Sequence, residues 1–513
     1  MKKLISIFAL FAGFGPFVLP AQVNSGSGKC IPCEQLKNLR LPDVTILEAK
    51  SLKKDTIEGQ VITVPFCRIL GRISKEINFE LLLPNQWNRR FLMSGGGGFV
   101  GSIQNNMRAD VNFGYATVGT DAGHQGSGLD ASWGLNNMER QIDFGRLAIH
   151  LTAAVSKYLI RTYYCADPSY SYFLGCSRGG GQGMVEAQQY PGDFDGIVVG
   201  APAISWPAIG AKFIQNSQKN YPDPKDLNKP VITKDNLRLL QEQVLKQCDT
   251  LDGIADRIIN DPRACKFDFS LLPVCADSLA NVNCFTGQQL AAIKTVYSAV
   301  MSKQDTIYPG FPFGAENEPG SWELWIAGNV PGMKMPSLHY QFGTNVFKYL
   351  IFNNPSWDYS KCDLSDFFEE TRYAAAYLDA TQTDYNEFHK RKGKMIMYHG
   401  WNDPALSAFA TIKHYQEAEK KDKDLHSYIR LFLLPGVLHC GGGPGPDSID
   451  LVALIRDWVE KDKAPERLVM SKKENGKTLM TRPVFPFPKI AVYSGTGDTN
   501  LEKNFIEKKN NDN

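Results

Sequence analysis

Residues Tyr170 to Ala187 constrain the fold more than any other stretch of the chain. Tyr170-Ser171-Tyr172-Phe173-Leu174 reads as a β-strand, and Gly183-Met184-Val185-Glu186-Ala187 reads as a helix. Between them lies Gly175-Cys176-Ser177-Arg178-Gly179-Gly180, which contains Gly-x-Ser-x-Gly. A strand that enters a helix through so sharp a turn leaves the serine at its tip, on strained backbone. Glycines two residues on either side let the flanking strand and helix come close. The motif alone occurs often by chance. Its neighbours sharpen it: Cys176 directly precedes the serine, and Cys440 directly follows His439. Two cysteines, each beside a residue of catalytic type, point to a disulfide that ties a nucleophile to its base.

The rest of the chain supplies the sheet that such a turn needs. Val61 to Phe66 and Glu76 to Leu83 read as strands, as do Arg90 to Met93 and Tyr115 to Gly119. Asp143 to Thr162 has helical periodicity, and Ile197 to Gly200 has the apolar run of a buried strand. From about Ser205 the texture changes. Cysteine, proline and tryptophan (Trp206, Trp322, Trp325, Trp357) become frequent, and long irregular stretches separate the helices. The α/β pattern resumes with a strand at Lys394 to Gly400, a helix at Ala408 to Glu419, a strand at Tyr428 to Leu433 and a helix at Ser448 to Asp462. Strands that alternate with helices predict an α/β fold, with a largely parallel sheet covered on both faces. The expected organisation is a first sheet-forming part over 22–204, an inserted domain over 205–384, and a second sheet-forming part over 385–513.

The chain has 513 residues, of which 43% are hydrophobic, enough to bury a large core. Its formal net charge is +2 and it has no long basic block, so neither nucleic acid nor an anionic membrane is indicated as a partner. The charged tail from Asn500 to Asn513 reads as a solvated, frayed end. Lys2-Lys3 followed by an apolar run from Leu4 to Leu19 reads as a secretory signal, cleaved after Ala21. That run is short for a membrane span of about 20 residues and carries Gly and Pro. No cysteine stands at the cleavage point to take a lipid anchor. A secreted or periplasmic protein is therefore expected. Eleven cysteines fit an oxidising compartment, as about four disulfides plus leftovers, and the odd count leaves at least one thiol unpaired. Cys30-x-x-Cys33 lies beside the cleaved end with no matching pair, so we discount it as a redox or metal motif.

A serine at neutral pH needs a base to take its proton, and the base needs an acid to orient it. In the α/β-hydrolase fold these follow in the order Ser, acid, His, with acid and base on loops after strands. Asp403, in His399-Gly400-Trp401-Asn402-Asp403-Pro404, stands after one strand, and His439, in Leu438-His439-Cys440-Gly441-Gly442-Gly443, after the next. His399 precedes Asp403 and so breaks the order; it reads as a structural neighbour. The developing oxyanion needs fixed donors. One is expected from the backbone N–H of Arg178, whose side chain reads as a surface group. The other is expected from the Gly95 to Gly98 loop, where glycine lets backbone approach a substrate.

A separate acidic segment runs Cys248-Asp249-Thr250-Leu251-Asp252-Gly253-Ile254-Ala255-Asp256-Arg257-Ile258, and Cys265 follows. A 248–265 disulfide would cinch this loop. Carboxylates with backbone carbonyls suit a hard cation, and Ca²⁺ best fits an exported loop. The spacing is not that of an EF-hand. On spacing alone, calcium and a solvated acidic turn stand as equal readings.

Taken together, these blocks resemble the tannase/feruloyl esterase family, which also includes mono(hydroxyethyl) terephthalate hydrolase. The resemblance spans roughly Cys33 to Asp462. It implies an α/β-hydrolase fold with a large inserted lid, and a triad of Ser177, Asp403 and His439. It further implies oxyanion donors at Gly98 and Arg178 and a Cys176–Cys440 disulfide. In the lid it implies one structural Ca²⁺ bound by the side chains of Asp249, Asp252 and Asp256 and the carbonyls of Ile254 and Ile258, with no organic cofactor. Disulfides Cys33–Cys67, Cys248–Cys265 and Cys275–Cys284 match the family, whereas Cys30, Cys165 and Cys362 find no match. The expected activity is hydrolysis of small aromatic esters, feruloyl or galloyl, free or carried on plant polysaccharide. A terephthalate-type monoester hydrolase is the nearest alternative. A non-catalytic, calcium-stabilised binding protein is the alternative of another class, and the intact triad speaks against it.

Overall fold

The computed structural model describes residues 30–276, 282–328, 330, 332 and 335–509. The expected signal segment, residues 1–21, lies outside them. Nine strands form the main sheet: β1 (Val44–Leu52), β2 (Phe66–Ile73), β3 (Ile77–Pro84), β4 (Arg90–Ser94), β5 (Ala116–Thr120), β6 (Tyr170–Cys176), β7 (Gly196–Gly200), β8 (Lys394–Gly400) and β9 (Ile429–Leu434). Their spatial order is β1-β2-β3-β5-β4-β6-β7-β8-β9. The pairs from β1 to β5 are antiparallel. Every pair from β5 to β9 is parallel. This is the mostly parallel sheet of an α/β-hydrolase fold.

The strands are apolar on both sides because both sides are covered. Phe91, Met93, Phe173, Ile197, Val199, Met395 and Leu431 enter one buried cluster. Their alternates Leu92, Tyr172, Leu174, Val198, Ile396 and Phe432 enter another. The helices used below are α1 (Ala148–Tyr164), α2 (Arg178–Gln189), α3 (Trp206–Asn220), α4 (Lys234–Cys248), α5 (Leu338–Asn345) and α6 (Leu451–Lys461). Helices α1 and α2 cover the first face with Ala153, Leu159, Met184 and Val185. Helix α6 covers the second with Ile455 and Trp458.

Between β7 and β8 the chain leaves the sheet. Ile232, Leu237, Leu240, Val244, Phe285, Ile293 and Trp322 build a separate core there. Helix α4 belongs to that core and starts with a capping box between Thr233 and Asn236. Helices α3 and α5 instead pack into the sheet-side cluster, through Ile209, Phe213 and Phe342. The excursion is thus a lobe with its own core, standing on two helices that share the core of the sheet.

Several local expectations need correction. Val61 to Phe66 is not one strand. Gln60–Ile62 pairs with Asp55–Ile57, and β2 starts at Phe66. Pro65, which lacks an N–H, sits at the break. The helix expected from Asp143 begins as a wide π-helical turn over Asp143–Leu147, and the regular helix α1 follows. Part of the expected frayed tail is a strand: Phe505–Lys509 pairs antiparallel with Lys489–Tyr493, while residues 510–513 lie outside the described residues. Phe505 anchors it in a small apolar cluster with Ile254, Phe485 and Ala491, which the charged composition of the tail conceals.

Candidate active site

Ser177 stands between β6 and α2 with φ 63° and ψ −122°, a conformation disfavoured for an L-residue. The surroundings hold it there. Its N–H donates to Gly200 O at 3.0 Å, and its carbonyl accepts from Gly181 and Ala203 at 3.1 and 3.0 Å. A Cβ on Gly175 would lie 2.3 Å from the carbonyl oxygen of Gly179, so only glycine lets strand and helix meet this closely.

The loops after β8 and β9 bring the other two residues to this turn. The Ser177 hydroxyl donates to His439 Nε2 at 2.9 Å, and His439 Nδ1 donates to Asp403 Oδ2 at 2.7 Å. Asp403 is fully buried, and its Oδ1 accepts from the N–H groups of Ala405 and Leu406 at 2.8 and 2.9 Å. Burial alone would raise its pKa. The charge of His439 and hydrogen bonds from His399 and His439 outweigh burial and hold it well below the usual carboxylate range. His399 is the structural neighbour the sequence indicated. Its Nε2 faces Asp403 Oδ2 at 3.2 Å and Leu406 O at 2.9 Å, while Nδ1 accepts from Thr411 Oγ1 at 2.8 Å.

The inserted lobe grips the same corner. Asn402 Nδ2 donates to Phe313 O at 2.9 Å, and His339 Nε2 donates to Pro404 O at 2.8 Å. Trp325 meets the His439 ring edge-on, with centroids 5.2 Å apart. The expected Cys176–Cys440 disulfide is present, with Cα atoms 5.9 Å apart and a sequence separation of 264.

A cavity of about 640 Å³ opens over Ser177. The inserted lobe and its two supporting helices give it an aromatic and aliphatic wall of Trp206, Phe213, Trp325, Leu338 and Phe342. Composition had flagged only the tryptophans. The available signal was helical spacing, with Trp206, Ile209 and Phe213 on one face of α3 and Leu338 and Phe342 four apart on α5. The Gly95 to Gly98 loop also lines the cavity, next to Phe342. Gly98 has φ +54°, and a Cβ there would lie 2.4 Å from Gly128 O. Among the described residues its N–H has no partner. Arg178 opens α2, so its N–H has no partner within the helix either. Two backbone donors are thus unclaimed: Gly98 on the cavity lining, and Arg178 next to Ser177 in the chain.

The Arg178 side chain corrects an expectation: it is buried rather than a surface group. Its guanidinium donates to the carbonyls of Phe144 and Gly145 in the wide turn before α1, and lies 4.4 Å from the centre of the Phe144 ring. Burial lowers its pKa to about 9.

The acidic segment lies in the inserted lobe. Asp252 Oδ1 accepts from Ile254 N–H at 3.1 Å, and Asp256 Oδ1 accepts from Ile258 N–H at 3.0 Å. Asp256 Oδ2 also pairs with Arg482 at 2.8 Å. Burial, with the charge of Asp256 adding to it, raises the pKa of Asp249. Burial also pushes Asp252 up to about 6. Among the described residues, Asp249 Oδ1 is buried without a partner. Carboxylates destabilised by burial and by one another, one with an orphaned oxygen, fit a hard cation. Elsewhere, His150, Glu186 and Asp193 gather within 4.8 Å of one another. His150 Nδ1 and Asp193 Oδ2 are only 2.6 Å apart, the spacing of an ion pair rather than of two ligands each about 2.0–2.2 Å from one ion.

All four expected disulfides form, and Cys30–Cys165 is a fifth. Cys362 is the free thiol among the described residues. Among the described residues, no helix is long and apolar enough to cross a membrane.

The sequence model of the family described as tannase and feruloyl esterase matches residues 59–507. An uncharacterised esterase of Xanthomonas campestris is 32% identical, the match covering 92% of this chain and 90% of that protein. The mono(2-hydroxyethyl) terephthalate hydrolase of Piscinibacter sakaiensis is 30% identical, over 86% of this chain and 84% of that one. The crystal structure of feruloyl esterase B from Aspergillus oryzae superposes with a TM-score of 0.82 at 26% identity, covering 93% of this chain and 99% of that one.

Proposed function

The chain belongs to the tannase and feruloyl esterase family of carboxylic ester hydrolases, and we propose that it cleaves esters of uncharged aromatic acids, hydroxycinnamoyl or galloyl, by a Ser-His-Asp acyl-enzyme mechanism. The observation that carries the reading is the unbroken chain from Ser177 Oγ through His439 to Asp403, at 2.9 and 2.7 Å, beneath an aromatic-walled cavity. Ser177 Oγ attacks the ester carbon while His439 Nε2 takes its proton. Asp403, held ionised, stabilises the imidazolium and fixes its tautomer. The N–H groups of Gly98 and Arg178 receive the negative oxygen of the tetrahedral intermediate. The alcohol leaves with the proton from His439, and a water activated by the same histidine releases the acid.

The terephthalate-type reading is less well supported. Among the described residues, no Lys or Arg lines the cavity. The free carboxylate of a terephthalate monoester would lose its water there without gaining a cationic partner, and burying an unpaired charge is costly. The acidic loop is proposed to hold one Ca²⁺, bound by the side chains of Asp249, Asp252 and Asp256 and the carbonyls of Ile254 and Ile258. Its contribution is charge neutralisation within the inserted lobe, which we read as the lid. Five disulfides, together with the apolar N-terminal segment, support export to the periplasm or beyond.

The test is a substrate panel combined with a fluorophosphonate. Methyl ferulate, methyl p-coumarate and methyl gallate should be hydrolysed faster than a terephthalate monoester, and the fluorophosphonate should label Ser177. Equal rates on the terephthalate ester would overturn the substrate class. Absence of labelling in folded protein would overturn the mechanism.

A further inference from the structure

Four consecutive glycines, Gly95 to Gly98, are the least self-determined backbone in the chain, yet an oxyanion donor must be fixed before the reaction begins. Glycine has no side chain to pack, and the local tie is the turn closed by Val100 N–H donating to Gly97 O at 2.9 Å. The other restraints come from outside. Gly95 N–H donates to Leu174 O at 2.9 Å, which continues the sheet. Gly96 N–H donates to Gln182 Oε1 at 3.0 Å, and Gly97 N–H donates to Gln104 Oε1 at 2.8 Å. Phe99 N–H then donates to Gly128 O at 2.8 Å. Of five successive amides, only that of Gly98 is left for a substrate.

Resting on the serine-esterase reading above, we propose that Gln182 and Gln104 are positioning residues of the oxyanion site: by occupying the amides of Gly96 and Gly97 they leave the amide of Gly98 to face the acyl oxygen. The two side chains come from rigid places. Gln182 is buried on α2, one helical turn after Arg178, whose own N–H is the other proposed donor. Both donors are thereby referenced to one helix. Gln104 is held by its backbone: its N–H donates to Thr120 O at 3.3 Å, and its carbonyl accepts from Ser94 Oγ at 2.8 Å. Each glutamine acts through its acceptor oxygen. A side chain of similar length without that oxygen leaves the loop free to turn another N–H, or none, toward the cavity.

The experiment uses Gln182→Met and Gln104→Met in the full-length protein, with active sites counted by end-point fluorophosphonate titration so that misfolded protein drops out. Per titrated site, each variant should lose about 10- to 100-fold in kcat on methyl ferulate with KM within about threefold, less than the 10²–10³ seen when an oxyanion donor is removed outright. An aryl trifluoromethyl ketone, which adds to the serine as a tetrahedral oxyanion, should lose affinity by the same factor as kcat/KM. Because both glutamines restrain one loop, the double variant should lose less than the product of the two single losses. Wild-type kcat per titrated site, or a loss confined to KM or to thermal stability, would overturn the assignment. If wild-type protein fails to titrate with fluorophosphonate, the serine-esterase reading itself fails, and that result is distinct from either outcome for the glutamines.

Discussion

Two acidic places in this molecule handle negative charge in opposite ways. At the catalytic corner, Asp403 is fully buried, yet all its oxygens are served from within the chain, by two backbone N–H groups and by His439 and His399. Its pKa falls despite burial. In the acidic loop, backbone N–H groups serve Asp252 and Asp256 in part, but Asp249 keeps a buried oxygen with no partner among the described residues, and burial raises Asp249 and Asp252. The catalytic corner is complete as a folded chain. The loop, on the reading proposed above, is completed by a bound Ca²⁺. Catalytic power should therefore reside in covalent neighbours and hydrogen bonds, and sensitivity to the medium should reside in the loop.

The comparison breaks most decisively at the serine. Ser177→Ala should lower kcat/KM by about 10⁴-fold or more with thermal unfolding unchanged, measured on methyl ferulate. Residual activity within tenfold of wild type would show that the corner is not the active site. Asp403→Asn would keep its amide oxygen on the Ala405 and Leu406 N–H groups and turn its NH2 toward His439 Nδ1, which would then have to accept, in the wrong tautomer. A loss of about 10³-fold is expected, with little change in KM. A much smaller loss would mean that the partners around Asp403, rather than its charge, carry the effect.

The third comparison is covalent. Replacing both cysteines, Cys176→Ala/Cys440→Ala, should cost about 10²-fold in rate per folded molecule, because a shift of about 1 Å in a catalytic group has that effect. Stability should fall as well, by up to about 4–5 kcal/mol in the chain-entropy account, an upper figure since cross-links often deliver less. Circular dichroism separates the two losses. The smallest effect on chemistry should come from the loop. Chelation should leave kcat at 25 °C within about twofold but lower the melting temperature, and added Ca²⁺ should restore it; a ligand at 100 times its Kd stabilises by about 2.7 kcal/mol. A large fall in kcat at 25 °C on chelation would show that the two regions are coupled after all.

What the sequence disclosed follows from how local each signal is. The elbow, the Asp403 loop and the His439 loop each announce themselves within a strand and the turn after it, and Cys176 and Cys440 sit beside the residues they join. Cys30 and Cys165 are 135 residues apart with no such neighbours, so only the folded chain brings them together. The burial of Arg178 was concealed because a guanidinium is seldom buried, and the carbonyls that receive it come from a wide turn before α1. The roles of Gln104 and Gln182 leave no local trace either: each acts on a loop that meets it only in the tertiary structure. The strand at Phe505–Lys509 hides behind lysine and glutamate and depends on one buried phenylalanine.

The Cys176–Cys440 bond also makes the whole inserted lobe part of a covalent ring. The ring closes at the active site, and every peptide bond from Ser177 to His439 lies on its circumference. A protease that clips an exposed loop of the lobe opens the ring but releases nothing. The fragment bearing the serine and the fragment bearing the histidine remain one molecule, and electrophoresis would separate them only after reduction. The polypeptide between nucleophile and base can therefore be nicked without the two parting company.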